Sequence, residues 1–422
     1  AAIVVLAGCG GDKESAGDDS EKLVLWTFAD THKQFYEEVA KKFKETHPDF
    51  QLEINLMEGQ ALVDKYTVIA RSGGKGAPDL LDIEQGMFPN FIRGDIPFEP
   101  LNERMKADGL SEVMAPGRQA LYTVDGREYG VEIAATVSAL YYRKDVFDEA
   151  GIDVPSLKTW DEFTEAAKKL IDKDTFIFPA NDTDFSNFEK LIRQEGGDIV
   201  TVDGKLGINT PEARIALQRI HDWKAAGIMD QVSPEGPAFW EAFSSGRYLA
   251  AFGPDWRANS LADNAPDLSG RWAAVPMPLG GPNSVNTTVQ GGTGLMISKF
   301  SDKKDLAWEF IKLSHMTPEM AVVRFNIINL YPALLTAVNE PGLHAKGRYT
   351  DYYSGQDLGA LYGSLLEQAP NQNQAWWRPL VRDAWEVYQF EYAEGKMTPE
   401  EFLAKVEEEA IKRIEAEESR QQ

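Results

Sequence analysis

The opening part of the chain alternates short apolar runs with one amphipathic stretch. Residues 23–26 form an apolar run, and residues 50–56 alternate apolar and polar side chains, which is typical of a half-buried strand. Between them, apolar residues recur at the spacing of one helix face, at Tyr36, Val39, Ala40 and Phe43. His47-Pro48 ends this helix, because proline disfavours helical geometry in the residue before it.

The same alternation continues along the chain. A third strand is predicted at residues 79–83, after a glycine-rich turn at residues 72–78. Strand and helix in alternation indicate βαβ units, which build largely parallel sheets, so the pattern predicts an α/β lobe. A second unit starts with a strand-like run at residues 139–142. Further helices are predicted around residues 211–226 and 305–313.

Two helix starts carry a recognisable cap. Thr159 is followed three residues later by Glu162, which is the spacing of a capping box. Thr398 precedes a proline and two glutamates, so it predicts the start of the last helix. We find no internal repeat.

The charge balance narrows the range of partners. Acidic residues outnumber basic ones by 67 to 43, which gives a formal net charge of -24. Such a surface repels nucleic-acid phosphates and anionic lipid head groups, so neither is an expected partner. It suits a soluble protein that we expect to be a monomer. A chain of 422 residues is too long for one ordinary core and predicts two lobes or domains.

The chemistry-bearing residues form no catalytic or metal motif. The five histidines, at positions 32, 47, 221, 315 and 344, include no pair at metal-ligand spacing. A single cysteine excludes an internal disulfide and a thiolate zinc site. We therefore expect no cofactor, and no metal site is indicated. A pair of catalytic carboxylates stays open as an alternative, because 67 acidic residues offer too many candidates to exclude one.

The single cysteine, Cys9, has an unusual setting. Leu6-Ala7-Gly8-Cys9 resembles a bacterial lipobox, in which a peptidase cuts before a cysteine that carries a diacylglycerol. Residues 1–8 are then the remainder of a signal peptide, and residues 9–21 are a lipidated cysteine with a flexible, charged tether. The alternative is a buried structural cysteine, but the polar residues behind it supply no apolar surroundings. We expect a protein outside the cytoplasm, anchored to the membrane by lipid at Cys9.

Several longer segments together resemble one known family. The segments "LVLWTFADTHKQFYEEVAKKFKETHPDFQLEI", "DGREYGVEIAATVSALYYRKDVFDEAGIDVPSLKTWDEFTEAAKKL", "FSSGRYLAAFGPDW", "GGTGLMISKFSDKKDLAWEFIKLSHMTPE" and "EGKMTPEEFLAKV" carry the likeness, in this order. They resemble the carbohydrate-binding extracellular solute-binding proteins of ABC importers, the maltose-binding-protein-like group. Each segment alone is weak, and their order and spacing together are specific. The resemblance covers nearly all of the chain from Glu21 onward.

This resemblance implies an α/β fold with two lobes of the periplasmic-binding-protein type II kind. The N-lobe would comprise residues 22–134 and 290–336, and the C-lobe residues 135–289 and 337–422. A hinge of several crossing strands would join them and leave a ligand cleft between. The family binds a neutral mono- or oligosaccharide there, closes, and delivers it to the transmembrane subunits of an ABC permease. Two other roles stay open, namely a sensor input to a membrane kinase and a lipid-anchored carbohydrate-active enzyme.

A sugar site needs flat aromatic side chains for apolar C–H faces, and carboxylates or amides for hydroxyls. "PNQNQAWWRPL" lies where the family places an aromatic of the C-lobe in the cleft. Trp376 and Trp377 are adjacent, so on a helix their side chains point about 100° apart and one can stack on sugar while the other packs inside. The alternative is that both belong to the core. Asn373 can present an amide just before that helix.

Other candidates follow strands, because ligands of open α/β lobes bind beyond the carboxyl ends of strands. Asp30 and His32 end the opening strand, with a helix cap as the alternative for Asp30. Glu84 and Gln85 follow the third strand in the same way.

Five further residues, from three segments of the chain, complete the set of candidates. Trp256 matches a cleft tryptophan of the family, and the extra Asp255 before it leaves open which of the two faces the cleft. Asp184 falls near a family loop that carries a carboxylate. Gly291 and Gly292 let backbone amides approach a ligand, or serve a hinge that needs special backbone angles.

Overall fold

The computed structural model describes residues 21–179, 184–230 and 236–420. Cys9, with the predicted signal-peptide remainder, lies outside the described residues. The strands are β1 (Lys22–Thr27), β2 (Gln51–Leu56), β3 (Leu80–Glu84), β4 (Thr123–Val124), β5 (Arg127–Glu128), β6 (Val131–Glu132), β7 (Ser138–Arg143), β8 (Ala250–Pro254), β9 (Trp272–Val275) and β10 (Thr293–Ile297). None of the described helices is both long enough and apolar enough to span a lipid bilayer.

Helices connect and cover these strands. They are α1 (Asp30–Phe43), α2 (Gly59–Arg71), α3 (Asn102–Ala107), α4 (Pro116–Gln119), α5 (Lys144–Glu149), α6 (Trp160–Ala167), α7 (Phe185–Gln194), α8 (Pro211–Ala225), α9 (Pro237–Ser244), α10 (Trp256–Asn264), α11 (Lys304–Met316), α12 (Pro318–Ile328), α13 (Arg348–Tyr352), α14 (Leu358–Leu366), α15 (Arg378–Ala393) and α16 (Pro399–Ser419).

The first sheet has the strand order β2-β1-β3-β10-β6. β1 pairs in parallel with both β2 and β3, as the sequence predicts. β10 enters from much later in the chain and pairs antiparallel with β3 and β6. The sheet is therefore mixed, and β3 has a neighbour on each side. Its carboxyl end, at Glu84, points toward the second part of the molecule.

The second sheet has the order β8-β7-β9 and is antiparallel throughout. Its core is rich in aromatic side chains. Trp160 and Trp223 meet edge to face, with ring centroids 5.1 Å apart, and Phe178 and Phe252 pack against both. Fully burying a side chain of this size contributes about 2–3 kcal/mol, so this cluster is a main source of stability for this part of the chain.

Both predicted helix caps are confirmed. The Thr159 hydroxyl accepts a hydrogen bond from the Glu162 amide at 3.2 Å, and the Glu162 carboxylate accepts one from the Thr159 amide at 3.0 Å. Thr398 and Glu401 form the same pair of bonds at the start of α16. Each cap satisfies amides that a helix start otherwise leaves unpaired.

Three chain segments cross between the two sheets and form the hinge. The first joins β6 to β7, the second precedes β10, and the third follows α12. The amide of Ala135 donates to the carbonyl of Tyr331 at 2.8 Å, and Val137 forms an antiparallel bridge to Val289. The crossings therefore bind one another as well as the sheets. The division into lobes at residues 134/135, 289/290 and 336/337 stays a prediction.

Candidate functional site

A cavity of about 1070 Å³ lies between the two sheets, beside the hinge. Its walls come from the segments after β1 and β3, from the second crossing, from the start of α10, and from one face each of α7 and α15. The first sheet thus contributes the ends of its strands, while the second part of the molecule contributes mainly helices. This placement follows from the fold, because strand ends of an open α/β sheet leave room for a ligand.

His32 is held in a fixed orientation on the N-lobe wall. Its Nδ1 lies 2.7 Å from the Oδ2 of Asp82, which is fully buried. Asp82 also accepts hydrogen bonds from Thr27 Oγ1 at 2.8 Å and Tyr36 Oη at 2.7 Å. Burial, followed by the charge of Asp82, raises the pKa of Tyr36 well above its ordinary value. Because Nδ1 is occupied, Nε2 is the polar atom of His32 that remains for a ligand.

Glu84 and Gln85 lie where β3 ends. Burial raises the pKa of Glu84, although the nearby Arg378 opposes the change. Its Oε2 accepts a hydrogen bond from the Gly86 amide at 2.6 Å. The amide of Gln85 donates to the carbonyl of Gly292 at 2.9 Å, which ties this turn to the hinge. Both side chains line the cavity.

Trp256 lies on the opposite wall, at the first position of α10. Asp255 caps this helix, with Oδ1 accepting from the Trp256 amide at 2.9 Å. A Cβ atom on Gly291 would lie 3.7 Å from the indole nitrogen, so the hinge backbone passes close to the ring. The guanidinium of Arg257 lies 4.9 Å from the centroid of the same ring. Trp256 is half-buried, which leaves part of its ring for a ligand.

A buried ionic row extends from the cavity wall into the C-lobe. Arg378 donates Nη1 to the Gln85 side chain and Nη2 to Glu189, so it joins the two lobes. Glu189 also accepts from Arg193 Nη2 at 3.3 Å, and Arg193 Nε donates to Asp198 at 2.9 Å. All of these side chains are less than a tenth exposed. Removing one member of this row would leave another charge buried without a partner, which is strongly destabilising. The members of the row therefore hold one another in place.

Lys190 is a further cation of the C-lobe wall. Its Nζ donates to the carbonyl of Phe252 at 3.3 Å and lies 4.6 Å from the centre of the Phe252 ring. Burial lowers the pKa of Lys190 to about 7. Lys190 belongs to α7, which begins at a cap, because Asp184 Oδ1 accepts from the Ser186 amide at 2.9 Å.

Seven of the predicted site residues line the cavity, namely His32, Glu84, Gln85, Asp184, Trp256, Gly291 and Gly292. The two glycines have positive φ angles, 76° and 124°. A Cβ atom on Gly292 would lie 2.1 Å from Nη2 of Arg118, so this position also requires glycine for packing. Whether these seven bind a ligand stays a prediction.

The structure places the other five predicted residues away from the cavity wall. Asp30 is exposed and accepts a hydrogen bond from Gln34 at 2.7 Å. Asp255 is fully buried, with Oδ2 accepting from the Tyr331 amide at 2.7 Å and Oδ1 held by Trp256. The side-chain amide of Asn373 donates to the Val200 carbonyl at 2.8 Å.

The adjacent tryptophans also differ from the expected arrangement. α15 begins at Arg378, so Trp376 and Trp377 precede the helix that the sequence predicted to contain them. Trp377 is buried in the C-lobe core, at 8% exposure. The ring of Trp376 is covered by the guanidinium of Arg93, 3.8 Å from its centroid, and Arg93 also pairs with Glu417 at 3.1 Å.

Sequence reasoning missed several residues of the cavity wall, among them Phe28, Glu189, Lys190, Arg378 and Arg382. Phe28 directly follows β1, so its position after a strand was the signal that could have found it. Glu189 and Lys190 belong to α7, where all residues but Ser186 are buried. The signal that could have found this helix is the apolar spacing of Phe185, Phe188 and Leu191, which is that of one helix face. Over the residues that the structure describes, no group of three or more His, Cys, Asp or Glu side chains is arranged to hold a metal ion.

Two lobes joined by crossing strands, with one large cleft between them, define the fold of a solute-binding protein. Solved structures share it over almost their whole length. A binding protein of an ABC transporter from B. animalis subsp. lactis Bl-04, in complex with beta-1,6-galactobiose, matches with a TM-score of 0.78 and 21% identity, covering 94% of this chain and 98% of that one. An ABC substrate-binding protein from Listeria monocytogenes, in complex with cycloalternan, matches with a TM-score of 0.76 and 21% identity, covering 93% and 98%. The predicted two-lobe α/β fold is confirmed.

The family is established by sequence. Residues 28–313 match the model of the bacterial extracellular solute-binding protein family, and this chain belongs to that family. The arabinooligosaccharide-binding protein of Halalkalibacterium halodurans is 26% identical over 404 residues, which cover 93% of this chain and 90% of the relative. The protein of the same name from Bacillus subtilis is 27% identical over 376 residues, covering 86% and 84%. Family membership confirms the prediction of a binding protein and not an enzyme.

Proposed function

We propose that this protein is a sugar receptor outside the cytoplasm, held to the membrane by lipid at Cys9. It captures an oligosaccharide between its lobes and hands it to the permease of an ABC importer. The observation that carries this proposal is the cavity of about 1070 Å³ with walls from both lobes and the hinge. Pockets for drug-sized ligands measure about 300–1,000 Å³, so the size favours more than one sugar ring over a monosaccharide.

The wall chemistry supports a sugar. Phe28 of the N-lobe and Trp256 of the C-lobe are both half-buried aromatic residues on the cavity wall. Aromatic faces pack well against the apolar C–H faces of sugar rings. Glu84, Gln85 and Asp184 add carboxylate and amide groups that can hydrogen-bond to hydroxyls.

The charges of the wall support a neutral ligand. The lysine and arginine side chains that line the cavity are Lys190, Arg257, Arg378 and Arg382. The lining carboxylates are Glu58, Glu84, Asp184, Glu189, Asp383 and Glu386. The carboxylates outnumber these cations, and the whole chain has a net charge of -24, so an anionic sugar would meet repulsion.

The relatives supply the first sugars to test. Both arabinooligosaccharide-binding proteins align with most of this chain, which supports oligosaccharides of arabinose as the ligand class. In this proposal, the ligand draws together an N-lobe of residues 22–134 and 290–336 and a C-lobe of residues 135–289 and 337–422. A lipid at Cys9 would keep the receptor near its permease.

The test is isothermal titration calorimetry of the full chain with the substitution Cys9→Ser. The panel comprises arabinose, arabinotriose, maltotriose and xylotriose, with trigalacturonate as the anionic control. We expect saturable binding of a neutral trisaccharide, tighter than that of arabinose, and recovery of the sugar intact by mass spectrometry. Binding of trigalacturonate and of none of the neutral sugars would contradict the proposal. Recovery of a shortened sugar would also contradict it.

A further inference from the structure

Thr136 stands out within the hinge because its backbone is in the left-handed region, with φ at 52°. Over the described residues, the other non-glycine residues with positive φ are Asp125, Asn329 and Ser354. Aspartate and asparagine tolerate this region, whereas a β-branched side chain there is a genuine outlier. Backbone strain of this kind persists only where surrounding structure holds it, and it clusters at functional sites.

The hinge holds Thr136 from both sides. The preceding residue, Ala135, is bonded to Tyr331 of the third crossing, and the following residue, Val137, bridges Val289 of the second. Thr136 therefore lies at the point where the three crossings meet. It also lines the cavity between the lobes.

The hydroxyl of Thr136 lacks a partner in the described part of the chain. The residue is 2% exposed, and its Oγ1 makes no hydrogen bond there. A buried hydroxyl without a partner is destabilising, and buried polar groups are nearly always paired. The position therefore combines a strained backbone with an unpaired hydroxyl at the wall of a ligand cavity.

We propose that Thr136 is a ligand-binding residue of the hinge, whose hydroxyl pairs with a hydroxyl group of the bound sugar. The inference rests on the proposed function and adds to it a residue that joins ligand and hinge directly. The sugar supplies the missing partner of Oγ1, so the unfavourable state of this hydroxyl exists only in the empty protein. Ligand binding thereby acts on the segment about which the lobes move.

Threonine to valine is the informative substitution, because it keeps the β-branched shape and removes the hydroxyl. Thr136→Val is expected to weaken binding of arabinotriose or maltotriose, whichever binds the parent protein more tightly, by about tenfold or more. Thr136→Ser keeps a hydroxyl and should stay within about threefold of the parent protein. Monodeoxy derivatives of the same trisaccharide give a sharper readout. One of them should bind weakly to the parent protein, and Thr136→Val should not discriminate against it.

The matched control is Thr287→Val in the second crossing. Thr287 is also buried, but its Oγ1 donates to the Ser138 carbonyl at 2.8 Å. This control should lose thermal stability, because it leaves a carbonyl unpaired. Ligand-free Thr136→Val should melt at or above the parent temperature, because it removes an unpaired group.

The outcomes separate the two proposals. Absence of binding by the whole panel would overturn the proposed function and this inference with it. Tight binding by the parent protein, with equal affinity in Thr136→Val, would overturn this inference alone. A marked loss of stability in ligand-free Thr136→Val would also overturn it, because the hydroxyl would then have a structural partner.

Discussion

Nη2 of Arg118 lies 3.1 Å from Oε2 of Glu132, and both side chains are buried beside the second hinge crossing. Glu132 also accepts a hydrogen bond from the Thr293 amide at 2.9 Å, while Arg118 donates to the Gly291 carbonyl at 2.8 Å. One ion pair thus binds the backbone on both sides of Gly292. Burial raises the pKa of Glu132, although Arg118 opposes the change.

Because this ion pair lies against Gly292, we predict that the position accommodates no side chain. Gly292→Ala would place a methyl group 2.1 Å from Arg118, at a φ of 124° that disfavours alanine. We expect a loss of about 3 kcal/mol in the free energy of unfolding, measured with denaturant. Gly291→Ala is the control, because its Cβ would meet the nearest atom at 3.7 Å, and we expect about 1 kcal/mol. Equal losses would show that the ion pair does not constrain the site.

The tryptophans give a second prediction. Trp256→Ala should weaken sugar binding by about 10- to 100-fold, because it removes an aromatic face from the cavity wall. Trp376→Ala should stay within about twofold, because Arg93 covers that ring. Calorimetry with the sugar that binds the parent protein most tightly measures both. A larger effect of Trp376→Ala than of Trp256→Ala would show that Trp376 stacks on the sugar, as the sequence predicted.

Trp377 should behave as a core residue. Its side chain is 8% exposed and packs in the C-lobe. Trp377→Ala is expected to lower the free energy of unfolding by about 3–5 kcal/mol, as for other large-to-small core substitutions. Thermal unfolding checks this. A normal melting temperature together with lost binding would place the residue in the cleft instead.

Arg378 should be irreplaceable by lysine. Its guanidinium serves Gln85 of one lobe and Glu189 of the other, and a single ammonium group cannot reproduce this forked geometry. Removing the guanidinium also leaves the buried carboxylate of Glu189 with less positive charge beside it. We expect Arg378→Met to lower the free energy of unfolding by about 3–5 kcal/mol, and Arg378→Lys to recover less than half of that loss. Arg382→Met, at an exposed neighbour on the same helix, is the control.

The buried carboxyl group of Asp255 should make the stability of the protein depend on pH. Burial raises the pKa of Asp255 to about 7. A carboxyl group whose pKa is higher in the folded state than in the unfolded state binds protons more tightly when folded. Its contribution to stability is therefore largest below about pH 4 and is lost as the pH rises to about 7, by up to about 4 kcal/mol. The pKa values of several other buried carboxyl groups are also raised, so a comparison with a variant isolates this one.

Asp255→Asn removes this titration. The difference in unfolding free energy between the parent protein and this variant should shrink steadily from pH 4 to pH 7 and level off above. The parent protein should remain the more stable of the two at every pH. The reason is that a side-chain amide cannot accept hydrogen bonds from the backbone amides of both Tyr331 and Trp256, as the carboxylate does. A difference that stays constant with pH would contradict the raised pKa.

The sequence predicted those features that depend on short stretches of chain. The amphipathic spacing at Tyr36 to Phe43 gave α1, and the Thr159 and Thr398 caps gave two helix starts. His32, Glu84 and Gln85 were placed together because each follows a strand, and strand ends meet at the cleft. Trp256 was placed there by the resemblance to the family.

The remaining features depend on contacts between distant segments. Arg378 and Glu189 are 189 positions apart in the sequence, and no local pattern predicts a contact between such distant residues. Trp376 and Trp377 were assigned to a helix, and α15 starts one residue after them, which changed the direction of both side chains. The apolar spacing at Phe185, Phe188 and Leu191 marks α7 as a helix, but the burial of its polar residues depends on the distant segments that pack against it.

Trp256 has a consequence for kinetics. The indole lies between the passing hinge backbone at Gly291 and the guanidinium of Arg257, with part of its ring open to the cavity. Indole emission responds to polarity and to nearby charge, and motion of the hinge would alter both. The protein thus contains its own fluorescent reporter at the junction of its lobes. Stopped-flow mixing could then time capture and release of an unlabelled solute, without attaching a dye.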